Sequence, residues 1–446
     1  MKGFHNITNF LKRFVGEHKS LLVNIFFWSF LISFIIDRIL NYFTHFPFFV
    51  VSGIIAFPFL FLAAQYKNPE KRQLYVLVFS FLVITIINSI VHLFALKNFS
   101  DFLFIGLFFT FYYYYKNNIN RLKKSNVYLF LTVSLFLFSL TFVAIDSDSI
   151  SKSEYTSFFD LDHILTDKSD RIKDISNKSE RIKWESNELD IMEVFRVYHN
   201  GLFRLPHIAS YFFGFLFLFL AFQYQKKKKV LDIVLLTASL AFCVYTGTRT
   251  ILAAFILSII IFLFKRKYIV YLQGVIIFIL LLILGRQYLV QLTENTVFFQ
   301  YFAFIQTTIE NFTRLSRFRL WYSWWLEVRE FGFWDLLIGK SYMNALFANA
   351  KNLDYKVWFH NDFLNILYSY GIGCAVLYVW FFIKIYLDNK NYINHNIFIF
   401  IFYISMVITA IINGFYYYFP VFLLYLFFIM INEERKAKKD KINIEK

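Results

Sequence analysis

Apolar residues in this chain come in repeated runs close to the ~20 residues that carry an α-helix across a bilayer. That spacing constrains the fold more than any motif does. Inside hydrocarbon each backbone N–H and C=O must be satisfied within its own segment, so such runs form helices. They fall at about 20–37, 48–66, 74–96, 102–115 and 127–145, and again at about 208–223, 230–245, 251–264, 268–285, 363–386, 395–413 and 415–431. With 58% hydrophobic residues and a mean hydropathy of +0.52, no soluble domain needs this much apolar surface. The expected fold is all-α: a polytopic integral membrane protein of about 12 transmembrane helices with two long loops on one side.

Orientation follows from the basic loops. KNPEKR after the second run, KNNINRLKK after the fourth, KKKK at 226–229, KRK at 265–267 and ERKAKKDK near the end alternate with loops lacking such clusters. By the positive-inside rule they are cytoplasmic, and they account for most of the net charge of +16, which would otherwise suggest nucleic acid. The first nineteen residues carry Lys2, Lys12, Arg13 and Lys19 without a small-residue cleavage site, and read as a cytoplasmic tail. Both termini are then inside, and residues 146–206 and 286–360 outside. The organisation is 1–145, helices one to five; 146–206, the first long loop; 207–285, helices six to nine; 286–360, the second long loop with an interfacial helix; and 361–446, helices ten to twelve with a cytoplasmic tail. The fourth run ends in YYYYK, the pattern of an aromatic belt. Cys243 and Cys374 lie inside apolar runs and suggest neither a disulfide nor a metal.

Polar residues gather at three stations on the outer side. The first long loop is acidic, contains the near-repeat SDRIK and SERIK, and has too few apolar residues for a core. It ends in RVYHNGLFRLPHIASYFF, which collects Arg196, His199, Arg204 and His207 above the sixth helix. The second station is the turn TGTRT with Arg249, an arginine at a membrane face that either snorkels to lipid phosphate or serves a function. The third is the second long loop. There Arg314, Arg317, Trp321, Trp324, Trp325 and Val328 share helical spacing, as on a helix lying on the bilayer. Arg314 and Arg317 suit headgroups, whereas Arg319 lies about 200° from Arg317 and is less explained by anchoring. Gly339 reads as a turn. His360 precedes Asn361 and Asp362, either of which can cap the tenth helix, and this places the imidazole at the outer mouth of the bundle.

In order and sidedness three of these features, TGTRT at the turn between the seventh and eighth helices, the arginine helix, and FHND at the tenth helix, resemble the O-antigen ligase and O-antigen polymerase superfamily of bacterial surface-polysaccharide enzymes. The matching residues are Thr246-Gly247-Thr248-Arg249, Arg319 before Trp321, Gly339, and His360-Asn361 followed by Leu364, Leu367, Gly371 and Gly373. The likeness covers about residues 196–375. It implies an enzyme of the bacterial inner membrane that moves a glycan from undecaprenyl diphosphate to an acceptor sugar hydroxyl at the periplasmic face, without cofactor, metal or nucleotide sugar. Arg249 and Arg319 would bind the diphosphate, since guanidinium forks match phosphate. His360 would be the general base, and Arg196, Arg204, His207 and Asn361 possible acceptor or donor contacts. The acceptor is lipid A–core for a ligase or a second carrier-linked repeat for a polymerase. A flippase for lipid-linked glycans is the non-enzymatic alternative, although the best arginines lie in outer turns rather than within the helices.

Overall fold

The computed structural model describes residues 17–44, 48–66, 68–92, 95–118, 122, 132–134, 137–138, 206–246, 248–292, 316–353, 358–414 and 418–431. Every regular element among them is a helix. The first group comprises α1 (Lys19–Thr44), α2 (Phe48–Gln65), α3 (Lys71–His92) and α4 (Ala95–Lys116). A second comprises α5 (Pro206–Lys227), α6 (Val230–Tyr245), α7 (Thr250–Lys265), α8 (Ile269–Leu284) and α9 (Arg286–Leu292). The last comprises α10 (Ser316–Val328), α11 (Phe333–Ile338), α12 (Tyr342–Leu353), α13 (Asp362–His395), α14 (Ile397–Ile412) and α15 (Phe419–Ile431). By length and composition α3, α13 and residues 207–225 of α5 can cross a membrane, and seven further apolar stretches of 10–17 residues accompany them. The fifth expected span, about 127–145, and the first long loop up to residue 205 lie outside the described residues, apart from a few positions.

The aromatic excess fills the interior. Tyr112, Tyr113, Tyr114 and Tyr115 are all buried, so the run expected to form a belt at the membrane surface is instead core. Tyr115 Oη donates to the Val23 carbonyl at 2.9 Å, which ties α4 to α1. Phe111 and Tyr115 meet Phe427 of α15, and Phe215, Phe402, Tyr425 and Phe428 join α5, α14 and α15. The Phe111 and Tyr115 rings meet Phe427 edge-to-face, which gives those contacts some directionality beyond their buried area.

The helix expected as the tenth span departs most from expectation. Within α13, Gly371 has φ 78° and ψ 176°, a left-handed backbone that only glycine adopts readily. Tyr378 Oη donates to Asp362 Oδ2 at 2.8 Å, and the rings of Phe363 and Phe382 are 6.1 Å apart. Residues sixteen apart in a straight helix are separated by about 24 Å. So α13 is a hairpin, with a first arm from Asp362 to Tyr370 and a second from Ile372 to His395 folded back beside it. Its apex meets a second left-handed glycine, Gly339, at φ 76°. Carbonyls at the reversal find partners: Tyr368 O accepts Lys340 N at 2.7 Å and Ser369 O accepts Ser341 N at 3.1 Å, while Asn88 Nδ2 donates to both Ile338 O and Ser369 O at 2.9 Å. Irregular backbone at membrane depth survives only with such compensation.

Candidate functional site

His360 stands where the chain turns into the first arm of this hairpin. Its φ is 51°, a conformation that costs a non-glycine residue of order 1–3 kcal/mol and recurs at functional sites. Flanking groups hold it there: Phe359 N donates to Asn365 Oδ1 at 3.1 Å, Asn361 Oδ1 accepts Leu364 N at 3.1 Å as the helix cap, and the Trp358 ring lies 4.8 Å from the imidazole. The first arm runs from His360 to the apex before the second folds back beside it. Tyr378, level with Asp362, is seven residues beyond Gly371, which puts the site about 10 Å below the apex.

Asn413, just past the end of α14, organises the site. Its Oδ1 accepts from Arg317 Nη2 at 2.7 Å and lies 3.1 Å from His360 Nδ1, and its Nδ2 donates to Tyr211 Oη at 2.8 Å. A guanidinium can only donate, so the amide oxygen must face Arg317; the flipped amide would set donor against donor. With Oδ1 fixed as acceptor, His360 Nδ1 must carry the proton. Nε2 therefore keeps the lone pair. Tyr211 in turn bonds the Thr250 side chain, which links α5, α7, α10, α14 and the hairpin through five side chains.

The electrostatics favour a neutral imidazole. His360 retains some accessible surface, yet the protein around it is dense, and burial, then Arg317, then His207 push it well below its ordinary value of 6.5 against the opposing pull of Asn413. At pH 7 it is an unprotonated base. Arg249 and Arg317 both act on His207 by direct charge interaction, and His207 packs beside Tyr211 and Tyr418 with ring separations of 6.4 and 5.9 Å. Its Nδ1 is buried without a hydrogen-bond partner among the described residues. Arg249 projects from a turn tied internally, where Thr246 Oγ1 donates to Cys243 O at 2.8 Å and lies 3.3 Å from Thr248 Oγ1; Gly247 is outside the described residues.

The structure thus brings His360, His207 and Arg249 together and adds Arg317, Asn413 and Tyr211, which sequence reasoning did not select. Arg317 is not simply a headgroup anchor, because its fork is engaged with Asn413. Trp324 and Val328 on the same helix pack against Ala345, Ala348, Phe359 and Tyr368, and Trp324 Nε1 donates to Leu364 O at 3.1 Å. The exposed aromatics of α10 are Phe318, Tyr322 and Trp325. Arg319 lies two residues from Arg317, about 200° around the helix. Asn361 caps the first arm. Arg196, His199, Arg204 and Arg314 are outside the described residues. No three His, Cys, Asp or Glu side chains among the described residues group as a metal site. Comparison of the chain with protein-family models, with curated proteins and with solved structures finds no match.

Proposed function

We propose that the chain is a membrane glycosyltransferase of O-antigen ligase type, set in the bacterial inner membrane by about twelve helices, with both termini cytoplasmic and the recess open to the periplasm. The donor is a glycan on undecaprenyl diphosphate and the acceptor a sugar hydroxyl of lipid A–core. That hydroxyl attacks the anomeric carbon and gives its proton to His360 Nε2. The bond from the anomeric carbon to the diphosphate oxygen breaks, and undecaprenyl diphosphate leaves with the electron pair. Arg249 and Arg317, which bear on the two histidines, would stabilise its growing charge in a site with little water; Arg319, expected from sequence to share this role, stands on another face of the same helix. The reading uses no metal and no nucleotide sugar.

One observation carries it: Asn413 Oδ1 holds both a guanidinium and the protonated nitrogen of His360, so a cation and an imidazole with a lone-pair nitrogen meet at one amide. A flippase has no use for a histidine with a fixed tautomer. The test is single-turnover transfer from a purified carrier-linked glycan to lipid A–core, with donor affinity measured alongside. His360→Ala should remain folded, bind donor, and lose ~10² or more in turnover. Normal turnover would remove the base from the mechanism, and lost donor binding would move His360 to the diphosphate. Transfer only to a second carrier-linked repeat would make the enzyme a polymerase.

A further inference from the structure

Three helix C-termini meet at the hairpin apex. α3 ends at His92, α11 at Ile338 and the first arm of α13 at Tyr370, just before Gly371. The aligned peptide dipoles leave the equivalent of about half a negative charge at each such end. Their contacts are tight: a Cβ on Gly339 would come within 2.4 Å of the Ser369 carbonyl carbon, and one on Gly371 within 2.2 Å of Leu337 O.

Four polar side chains sit among these termini, each 0% exposed: Thr85, Asn88, Ser341 and Ser369. Thr85 Oγ1, Asn88 Oδ1, Ser341 Oγ and Ser369 Oγ have no hydrogen-bond partner among the described residues. Contacts of their backbone and neighbouring groups place the four residues near one another. Asn88 bonds Ser369 O and Ile338 O, Ser341 N bonds the same Ser369 O, and Thr85 lies one turn below Asn88, above Phe81, whose ring is 6.0 Å from that of Tyr370. Four idle oxygens cost about 1–3 kcal/mol each if nothing meets them. The nearby ammonium of Lys340 does not serve them: it lies 3.6 Å from Asp335 Oδ2 and 4.7 Å from the Phe331 ring centroid.

We infer that the hairpin apex binds a monovalent alkali cation through the Thr85, Asn88, Ser341 and Ser369 side-chain oxygens. The ligands are all neutral, hard oxygens. Without a carboxylate, divalent ions lack the charge that offsets their dehydration, whereas unwound helix ends with neutral oxygens hold Na⁺ in membrane proteins. The ion would anchor the apex of the arm that begins at His360, so its role is to hold that arm rather than to take part in chemistry. The inference does not depend on glycan transfer.

The test measures thermal unfolding of the detergent-purified full chain in NaCl, KCl and choline chloride at equal ionic strength, together with binding of radioactive Na⁺. Wild type should unfold several degrees higher in NaCl or KCl than in choline chloride, with a shift that grows with the logarithm of cation concentration. Thr85→Val and Ser369→Ala each remove an idle oxygen without breaking a hydrogen bond. The double variant should keep its choline unfolding temperature and lose both the shift and the bound ion. Equal unfolding temperatures of wild type in all three salts, with no bound ion, would overturn the inference and leave ordered water as the occupant. A double variant that still shows the shift would overturn it equally.

Discussion

The recess around His360 and the foot of α3 and α4 are both rich in charge, and they handle it in opposite ways. At the foot, Lys116 Nζ meets Glu70 and Asp388 at 2.7 Å, and Lys384 Nζ meets the same two carboxylates at 2.7 and 2.6 Å. Tyr112 Oη closes the set at 2.6 Å from Asp388. Two cations and two anions, each bridging, cancel within a few ångströms; such a network joins helices and leaves nothing for a ligand. In the recess the Arg317 fork meets a neutral amide oxygen that it shares with His360, and Arg249 and Arg317 bear on His207 together. Charge is balanced at the foot; around the imidazoles the guanidinium groups bear on neutral partners, the arrangement on which the proposed diphosphate site rests.

The comparison depends first on the hairpin that brings His360 to Asn413. Gly371→Ala puts a methyl group 2.2 Å from Leu337 O at a left-handed residue, where neither backbone can yield cheaply. It should leave little monodisperse protein in size-exclusion chromatography. Gly373→Ala, two residues on, has nothing within 4 Å of its added Cβ and should be neutral, or stabilising by up to about 1 kcal/mol through helix propensity. Equal yields from the two variants would remove the hairpin from the account, and with it the depth of the site.

Arginine geometry comes next. Arg317→Lys keeps the charge but cannot bond Asn413 while presenting a second donor to phosphate, so transfer should fall about tenfold or more, equivalent to at least ~1.4 kcal/mol in the barrier. Arg249→Lys should behave likewise. Transfer at wild-type rates by Arg317→Lys at matched expression would return Arg317 to headgroup binding. By contrast, Lys384→Met at the foot strands part of the negative charge on Glu70 and Asp388, which are only 24% and 11% exposed. It should lower stability by about 1–2 kcal/mol once partial solvation is allowed for, while specific transfer activity stays unchanged.

Much of this fold can be read along the chain, because a helix that buries apolar residues writes its period into consecutive positions. The apolar runs at 48–66, 230–245 and 251–264 match α2, α6 and α7 within a residue or so, Asn361 is the cap it resembles, and Gly339 turns the backbone as expected. What was not legible depends on convergence. A glycine in an apolar run looks like any other small residue, and only contacts across the turn, such as Tyr378 with Asp362, show that Gly371 reverses the chain. Asn413 lies 53 residues from His360 and 96 from Arg317, distances over which one sequence carries no pairing signal. A hint was available: α14 has 16 residues, about 24 Å of helix, short of a ~30 Å hydrocarbon core. A polar residue at its end therefore falls inside the bundle rather than at its surface.

The smallest expected effect separates the recess from the foot by pH. His360, outside the spanning helices, has a folded-state value well below 6.5, through burial first and then Arg317 and His207. The unfolded chain keeps the ordinary value. Between the two, the unfolded state binds more protons than the folded one, so stability rises with pH across this window and is lost as pH falls below about 6.5. Above that pH both states carry neutral imidazole and the residue contributes no slope. The full slope for one proton is about 1.4 kcal/mol per pH unit. His360→Gln removes the titration while keeping a polar group, so between pH 6.5 and 5 its unfolding free energy should fall less steeply than that of wild type, with the curves parallel above pH 7. Lys384→Met leaves His360 in place and should therefore keep the part of the slope that His360→Gln removes. Parallel curves for wild type and His360→Gln at every pH would mean that the imidazole charges freely in the folded protein, and the recess would then be open to water rather than held for an anion.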